Sequence, residues 1–382
     1  MTAQPMTDEV RHGAAHTTAE IAQQPALWRQ LGALVGADVR GFVDPLLALP
    51  DTRIVLTGAG TSAFAGQLLA PRLGRVLGRR VDAVPTTDIV TNPVEYLGWE
   101  GPTLLVSFAR SGDSPESVAA ADLADQLLSD VHHLVLTCDP DGRLARRYAD
   151  RERAHVLLMP AAANDQGFAM TSSFTCMTLA ALQALDPTSD PDLPARLASI
   201  ADGVRAAWDA AAHEISGQGY QRLVYLGSGG LKGLAHESAL KAMELTAGRV
   251  VAMGDSPLAF RHGPKSVLDD STLVVVYVSN DPYTRRYDLD LLGELRRSGG
   301  SRRVLAVTAD HGDDVSAGSG WLLPDAAEHH DAALALPAVL CAQLIALHSS
   351  MALGLTADNP FPSGEVNRVV QGVEIHPFDN AR

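Results

Sequence analysis

The chain has 382 residues, of which 46% are hydrophobic and 20% are charged, and these values are typical of a globular protein with room for two domains. Its formal net charge of −15 argues against binding to nucleic acid or to anionic membranes, whose phosphate groups would repel it. A small anion could still bind where backbone amides at the start of a helix supply the hydrogen-bond donors.

The N-terminal residues, the apolar runs and the cysteines indicate a cytoplasmic protein. The first residues are polar and lack the apolar stretch and cleavage site of a secretory signal. The apolar runs at 273–278 and 332–347 are too short or too interrupted to span a bilayer, so we expect no membrane segment. Cys138, Cys176 and Cys341 lie far apart in apolar contexts and are interpreted as core thiols. The histidine spacings match no metal motif, and we expect neither a metal nor a cofactor.

Breaks in composition predict how the chain is organised. The pair Gln24-Pro25 predicts an interruption in an otherwise helical N-terminal segment, before a helix over 27–49. Three prolines and two aspartates between 187 and 196 predict a linker, and the prolines after Leu355 predict an extended tail. The expected parts are a helical leader (1–50), a first domain (51–190), a second domain (197–355) and a C-terminal tail (356–382).

Three segments recur along the chain at a nearly constant spacing. RIVLTGAGTSAFAG at 53–66 matches RLVYLGSGGLKGLA at 222–235, which places Gly58 and Gly227 169 positions apart. TLLVSFA at 103–109 matches TLVVVYV at 272–278 at the same spacing, and a third pair keeps nearly that spacing. Two unrelated α/β domains could look alike, but a constant spacing favours a duplicated unit.

Each repeated segment is a β-branched apolar run followed by an alanine- and leucine-rich stretch of helical periodicity. This alternation of strand and helix predicts parallel sheets that helices cover on both faces. The predicted fold class is therefore α/β, with two tandem doubly wound domains, each a three-layer αβα arrangement.

Two loops of the first copy are candidates for binding a phosphate group. Residues 58–62 and 109–114 each follow a predicted strand and open a predicted helix, where glycines, hydroxyls and backbone amides can contact an anion. Ordinary helix capping is the alternative, but one cap per helix does not account for so many hydroxyls. The second copy lacks the SGDS pattern, so we expect one phosphate site per chain. The candidate residues are Gly60, Thr61, Ser62, Arg110, Ser111 and Ser114.

A predicted helix of the second copy carries residues suited to proton transfer. Glu237, Lys241 and Glu244 share one helix face, and His262 follows in a loop. A carboxylate beside a lysine can take a proton next to a carbonyl group, and a histidine can move protons for opening of a sugar ring. An exposed ion pair with an unrelated histidine is the alternative. Of the 30 lysines and arginines only three are lysines, and all three lie between Lys232 and Lys265, which favours a role for Lys241.

Five motifs together resemble those of the sugar isomerase (SIS) domain family, and within it the galactosamine-6-phosphate deaminase/isomerase branch. They are LTGAGTSAF (56–64), SFARSGDSPES (107–117), GFAMTSSFTCM (167–177), ESALKAMELTAG (237–248) and RHGP (261–264). The isomerase half of glucosamine-6-phosphate synthase is similar as well. The resemblance covers both copies and implies a soluble enzyme that acts on a sugar phosphate.

The resemblance also implies a role for each matching residue. Glu244 corresponds to the enolising base, Lys241 to the lysine that accompanies it, and His262 to a ring-opening histidine that a neighbouring subunit contributes. It thus implies a homodimer or larger homo-oligomer. Arg110 would add a charge that the synthase lacks at this place. The phosphate-binding positions carry over to Thr61, Ser62, Ser111 and Ser114, and a sugar-contacting turn carries over to Thr171, Ser172 and Ser173.

Two departures from the synthase bear on the expected reaction. No lysine follows Lys265, and there is no N-terminal cysteine or glutaminase domain, so glutamine is not expected as a nitrogen donor. The expected reaction is hydrolytic: galactosamine 6-phosphate and water give tagatose 6-phosphate and ammonia. Isomerisation of a hexose phosphate without deamination, deamination of glucosamine 6-phosphate and a non-catalytic sugar-phosphate sensor remain as alternatives.

Overall fold

The computed structural model describes residues 12–298, 303–310, 312, 315, 319–370 and 372–379, and the chain folds into two units. The first unit comprises Gln30–Asn164, Ser173–Pro191 and Gly364–Arg382, and the second comprises Met1–Arg29, Asp165–Ser172 and Asp192–Ser363. Both units therefore draw on separated parts of the chain. The boundaries predicted from the sequence stay a prediction, which limited proteolysis can test.

The first unit is built on a parallel sheet of five strands whose order is β2-β1-β3-β4-β5. The strands are β1 (Arg53–Thr57), β2 (Val81–Ala83), β3 (Thr103–Ala109), β4 (Val131–Thr137) and β5 (Ala154–Leu158). The helices are α2 (Ala37–Ala48), α3 (Thr61–Leu77), α4 (Thr86–Thr91), α5 (Pro93–Leu97), α6 (Pro115–Leu127) and α7 (Arg143–Tyr148). Two longer helices contain residues of both units, α1 (Ala15–Leu34) and α8 (Ser172–Leu185).

The second unit repeats this arrangement with a sheet whose order is β10-β9-β8-β6-β7. Its strands are β6 (Arg222–Gly227), β7 (Val251–Asp255), β8 (Thr272–Tyr277), β9 (Arg303–Thr308) and β10 (Gly320–Leu322). Its helices are α9 (Leu193–Ser216), α10 (Leu231–Leu245), α11 (Pro257–Phe260), α12 (Thr284–Ser298) and α13 (Asp331–Ala352). In both sheets the first strand lies between the second and the third, so the predicted pair of α/β domains is confirmed.

The central strands explain why these sequences form sheets buried on both faces. Every residue of β3 and of β8 is buried. Valine and leucine side chains of β6 and β8 pack with α12 in the core of the second unit, for example Val224, Val274 and Leu291. Strands buried in this way lose water from both faces, which is the main favourable contribution to folding.

Helix α1 corrects the prediction of a break at Pro25. The helix continues through Pro25 because the carbonyl of Ile21, which Pro25 cannot bond, accepts a hydrogen bond of 3.1 Å from the side chain of Gln24. The interruption lies instead between Leu34 and Ala37, where α1 ends and α2 begins.

The predicted linker is also shorter than its proline content indicated. Helix α9 begins at Leu193, inside the segment 187–196. Pro194 lies in the first turn of α9, where a missing amide hydrogen is tolerated. The described residues after Leu355 lie outside helices and strands, as predicted for the tail.

Helix α13 is longer than the apolar run at 332–347 that it contains. Its 22 residues are sufficiently numerous and apolar to cross a membrane by length and composition alone. However, 89% of its most apolar window is buried inside the protein, as in the core helix of many globular proteins. Cys341 lies on this helix, and all three cysteines are free and buried, as predicted.

Candidate functional site

The two candidate phosphate loops lie at the same edge of the first sheet. β1 and β3 are neighbouring parallel strands in which Thr57 lies opposite Ser107, and each strand leads directly into its loop. The strand order reverses between β1 and β3, and ligands of doubly wound sheets bind at such a point. The structure thus places the two loops that hold all six predicted phosphate-binding residues at one edge of the first sheet: Gly60, Thr61, Ser62, Arg110, Ser111 and Ser114.

The hydroxyls of these loops do not act as ordinary helix caps. Gly60 precedes α3 in the left-handed region (φ 55°), and no side chain caps that helix. Ser114 precedes α6 without capping it, and its hydroxyl donates to the hydroxyl of Ser117 over 2.7 Å. Capping was the alternative explanation of the serine-rich pattern, and neither helix supports it.

Contacts around Gly142 hold the second loop in place. The amide of Arg143 donates to the Asp113 carboxylate over 2.8 Å, and the amide of Leu144 donates to the carbonyl of Gly112 over 3.1 Å. A Cβ atom at Gly142 would lie 2.1 Å from the carbonyl oxygen of Ser111. Sequence reasoning missed Asp113 and Gly142 as supports of the loop, although both lie within or beside the repeated motifs.

We predict that Gly142→Ala weakens sugar-phosphate binding at least about tenfold, which corresponds to about 1.4 kcal/mol. The new methyl group must displace the backbone of Ser111 without removing any of the predicted phosphate-binding groups. Isothermal calorimetry with galactosamine 6-phosphate measures the change. Gly203→Ala in α9 is a matched control, because a Cβ atom there meets nothing within 4 Å. Equal affinity of the two variants would contradict the role of this contact.

Arg110 lies beside the C-terminal tail. Its side chain is buried, and Nη2 donates to the carbonyl of Arg368 over 2.9 Å. The guanidinium of Arg368 in turn donates to the side chain of Asn164 over 3.2 Å. The charge of Arg110 is therefore near the serine-rich loop and near the tail.

Thr171 and Ser172 form a turn that the protein's own groups hold. The Asp165 carboxylate accepts from the amides of both residues and from the Thr171 hydroxyl. The Ser172 hydroxyl donates to the carbonyl of Glu20 over 2.7 Å. Ser173 is buried as well and belongs to the first unit. The predicted sugar-contacting residues are thus divided between the units, and two of their hydroxyls stabilise the turn.

Helix α10 places a lysine between two glutamates. The Lys241 ammonium pairs with Glu244, and it lies 3.5 Å from the nearer carboxylate oxygen of Glu237. Lys241 and Glu237 have no exposed side-chain surface, whereas 24% of the Glu244 side chain is exposed. An exposed ion pair, the alternative interpretation of this pattern, is therefore wrong. The partly exposed carboxylate of Glu244 can therefore contact a ligand, whereas the charged groups of Lys241 and Glu237 are buried.

The neighbourhood of Lys241 differs from that of the other two lysines. Lys232 pairs with Asp255 over 2.9 Å, and Lys265 pairs with Glu294, but both side chains are partly exposed. Burying an ammonium group without a partner would be costly, so the two glutamates account for a charged Lys241 in this core. Of the three lysines in this part of the chain, Lys241 is thus the buried one.

His262 is exposed on a loop that follows α11. Arg261 fixes this loop through ion pairs with Asp290 and Glu294 on α12. The hydrogen bonds that Lys265 and Arg261 donate to Glu294 lower the pKa of that carboxyl. The backbone amide of His262 donates to the carbonyl of Ala259 over 2.9 Å. The structure thus anchors the backbone at Arg261 and His262, while the His262 side chain is exposed.

In the second unit, carboxylates occupy the donors at the ends of β6 and β8. Asp288 accepts from the hydroxyl of Ser228 and, over 2.9 Å, from the amide of Ser279. Asp331 accepts from the hydroxyl of Ser279 over 2.6 Å and from the amide of Asn280 over 2.8 Å. Burial raises the pKa of Asp288 to about 6, against the effect of these hydrogen bonds. The second copy therefore lacks the SGDS motif, and its own carboxylates occupy the place that corresponds to the predicted phosphate site.

We predict that Asp288→Asn flattens the pH dependence of stability between about pH 4 and pH 7. The folded pKa of about 6 exceeds the usual value of 3.8, so the folded state holds a proton that the unfolded state releases. The stabilising contribution is complete below about pH 4 and is lost as the pH rises through about 6, a total of about 3 kcal/mol. Chemical denaturation across this range measures it. The exposed Asp270→Asn variant should keep the wild-type profile, and an unchanged profile in Asp288→Asn would refute the prediction.

Among the described residues, no three histidine, cysteine or acidic side chains are grouped as a metal site requires.

The family model of the SIS domain matches residues 47–186 and again residues 218–353. A Streptomyces coelicolor protein that carries the name AgaS is 59% identical over 385 residues, which cover 100% of each chain. D-galactosamine-6-phosphate deaminase AgaS of Escherichia coli is 48% identical over 370 residues, which cover 95% of this chain and 96% of that one. A crystal structure of tagatose-6-phosphate ketose/aldose isomerase from Escherichia coli superposes with a TM-score of 0.88 at 45% identity, covering 95% and 96% of the two chains.

Proposed function

The chain belongs to the SIS domain family, and from that premise we propose that it is an amino-sugar-phosphate deaminase that converts D-galactosamine 6-phosphate and water to D-tagatose 6-phosphate and ammonia. The observation that carries this proposal is the 48% identity, over nearly the full length of both chains, with an enzyme named for deamination of this substrate. The paired loops after β1 and β3 support a phosphate ligand. The Lys241–Glu244 pair supports proton transfer.

The proposed reaction begins with the open-chain sugar. His262 assists ring opening by moving a proton to the ring oxygen, which leaves an aldehyde at C1 and the amino group at C2. Glu244 takes the C2 proton, the electron pair forms the C1–C2 double bond as the C1=O π bond breaks, and O1 takes up a proton, which gives an enolised amine. Return of a proton to C1 gives a ketimine at C2. Water then adds to C2, and the carbon–nitrogen bond breaks to release ammonia and leave the ketose.

Lys241 and the phosphate loops serve this chemistry without exchanging atoms with the sugar. The Lys241 ammonium pairs with the Glu244 carboxylate, which we assign as the base. We assign the phosphate to Thr61, Ser62, Ser111 and Ser114, with Gly60 allowing close approach and Arg110 adding charge, and the sugar to Thr171, Ser172 and Ser173. The proposed reaction needs no metal or cofactor.

Incubation with galactosamine 6-phosphate, glucosamine 6-phosphate and tagatose 6-phosphate in parallel tests the proposed function. We expect ammonia from galactosamine 6-phosphate in an amount equal to the tagatose 6-phosphate formed. Ammonia from glucosamine 6-phosphate alone would assign the gluco substrate instead. Binding of all three sugars without turnover would leave only a sensor.

Isomerisation without deamination is a second candidate function. It is favoured by the likeness to the Escherichia coli structure described as a tagatose-6-phosphate ketose/aldose isomerase. The same base can transfer a proton between C1 and C2 of either sugar class. Conversion of tagatose 6-phosphate to an aldose phosphate, with no ammonia from either amino sugar, would establish this function.

We propose further that His262 acts across the interface of a homodimer. The exposure of its side chain on an anchored loop is compatible with donation to a second chain. Co-expressed His262→Ala and Glu244→Gln chains, each nearly inactive alone, should then recover up to about a quarter of wild-type activity, because half of random dimers are mixed and one of their two sites is intact. Ammonia release from the purified mixture measures this. Activity no higher than that of the separate variants would place His262 in its own chain's site.

A cytoplasmic location fits a substrate that is a phosphorylated sugar, and we propose it on that ground. Expression of the untagged chain followed by fractionation of the cells is the direct test. We expect the protein in the soluble fraction, and recovery with the membranes would contradict the proposal.

A further inference from the structure

The two halves of the chain differ at one buried helix position. α6 begins at Pro115 and α12 begins at Thr284, so the two helices start at the same spacing of 169 residues that relates the strands. At this spacing Asp288 on α12 corresponds to Ala119 on α6. Both side chains are buried, but only one of them carries a charge.

The Asp288 carboxylate joins two loops that leave neighbouring strands. One of its oxygens accepts from Ser228, which follows β6, and the other accepts from the amide of Ser279, which follows β8. The corresponding loops of the first unit leave β1 and β3 and carry the residues assigned to the phosphate. A phosphate oxygen that joined those loops would make the same two kinds of contact as the carboxylate does here.

Asp331 accepts from two further donors at this place. It accepts from the hydroxyl of Ser279 and from the amide of Asn280, which corresponds to Ser111. Two carboxylates at the donors of one loop would repel a phosphate dianion in a site with little water. Arg285 donates over 3.3 Å to the carbonyl oxygen of Ser279.

We propose that Asp288 takes the place of a ligand phosphate in the second unit. The difference between Ala119 and Asp288 then explains why the chain binds one sugar phosphate instead of two. Alanine leaves the cradle open in the first unit, and aspartate closes it in the second. The inference about the first unit rests on the proposed function, whereas the closure of the second unit does not.

Calorimetry with inorganic phosphate tests both halves of the proposal. The wild type should bind one phosphate per chain. Asp288→Ala combined with Asp331→Asn should bind two, because both negative charges are removed and the Ser228 hydroxyl and the Ser279 amide become available. Asp270→Ala combined with Asp310→Asn removes the same charge from exposed positions and should still bind one. A folded Asp288→Ala, Asp331→Asn chain that binds no additional phosphate would overturn the proposal.

The reverse substitution guards against a variant that fails to fold. Ala119→Asp should weaken phosphate binding at least about 100-fold, or about 2.7 kcal/mol, whereas Ala119→Ser adds an oxygen without a charge and should keep the site. Equal binding by these two variants would count against the proposal. A second-unit site in the doubly substituted chain together with no site in the wild type would support the closure by Asp288 and would instead refute the phosphate assignment in the first unit.

Discussion

Glu244→Gln should lower ammonia release from galactosamine 6-phosphate by about 10²–10⁴-fold, the usual contribution of a positioned general base. Glutamine keeps the size and the hydrogen-bonding capacity of the side chain but cannot accept the C2 proton. The fall should appear in kcat, because the carboxamide leaves the phosphate contacts of the other residues in place. Coupled detection of ammonia at several substrate concentrations separates kcat from KM.

Glu214→Gln is the matched control for this loss. Glu214 is an exposed glutamate in α9, so the same change of charge there should leave kcat and KM at their wild-type values. Unaltered circular dichroism and unaltered phosphate binding by Glu244→Gln would show that the variant is folded. A Glu244→Gln enzyme with full ammonia release would remove Glu244 from the proposed mechanism.

Lys241→Met should destabilise the protein by about 3–5 kcal/mol, the usual cost of removing one partner from a buried ion pair. Methionine fills much of the space of the lysine stem, so the loss should come mainly from the charge of Glu237, which keeps no exposed surface. Urea denaturation gives the change in the free energy of unfolding. Lys232→Met, whose ammonium is partly exposed beside Asp255, should cost at most about 1 kcal/mol.

The double variant Glu237→Gln, Lys241→Met distinguishes charge from packing. If the buried charge of Glu237 causes the loss, the double variant should recover most of the stability that Lys241→Met loses, although its activity should stay low. A double variant as unstable as Lys241→Met, or less stable, would show that the methionine side chain itself disrupts the core. The cycle is informative because the two residues are in direct contact.

Much of the fold could be predicted from the sequence because its signals are local and repeated. Strand residues such as Val55 and Val224 recur at a fixed spacing. The parallel sheets and the reversal of strand order follow from that alternation, and the structure has both. Pro25 was misleading because the contact that allows the helix to continue comes from the side chain of Gln24, which propensity does not describe.

The candidate site was predictable as far as its motifs extended. The serine-rich loop and the Lys241 helix stand out within short windows of sequence. The acceptors in the second unit do not, because Asp288 and Asp331 are far apart in sequence, and only the fold brings both of them to Ser279. The support that Gly142 gives to Ser111 likewise depends on two loops meeting, and a single glycine in a turn is common.

Turnover of galactosamine 6-phosphate in deuterium oxide tests the central claim most directly. Proton transfer through an exchangeable carboxyl group at Glu244 predicts one mole of ammonia for each mole of tagatose 6-phosphate, with deuterium at C1 of that product. Loss of both signals in Glu244→Gln should accompany this result. A ketose formed without ammonia, or ammonia formed without the ketose, would contradict deaminating isomerisation through the C2 and C1 positions.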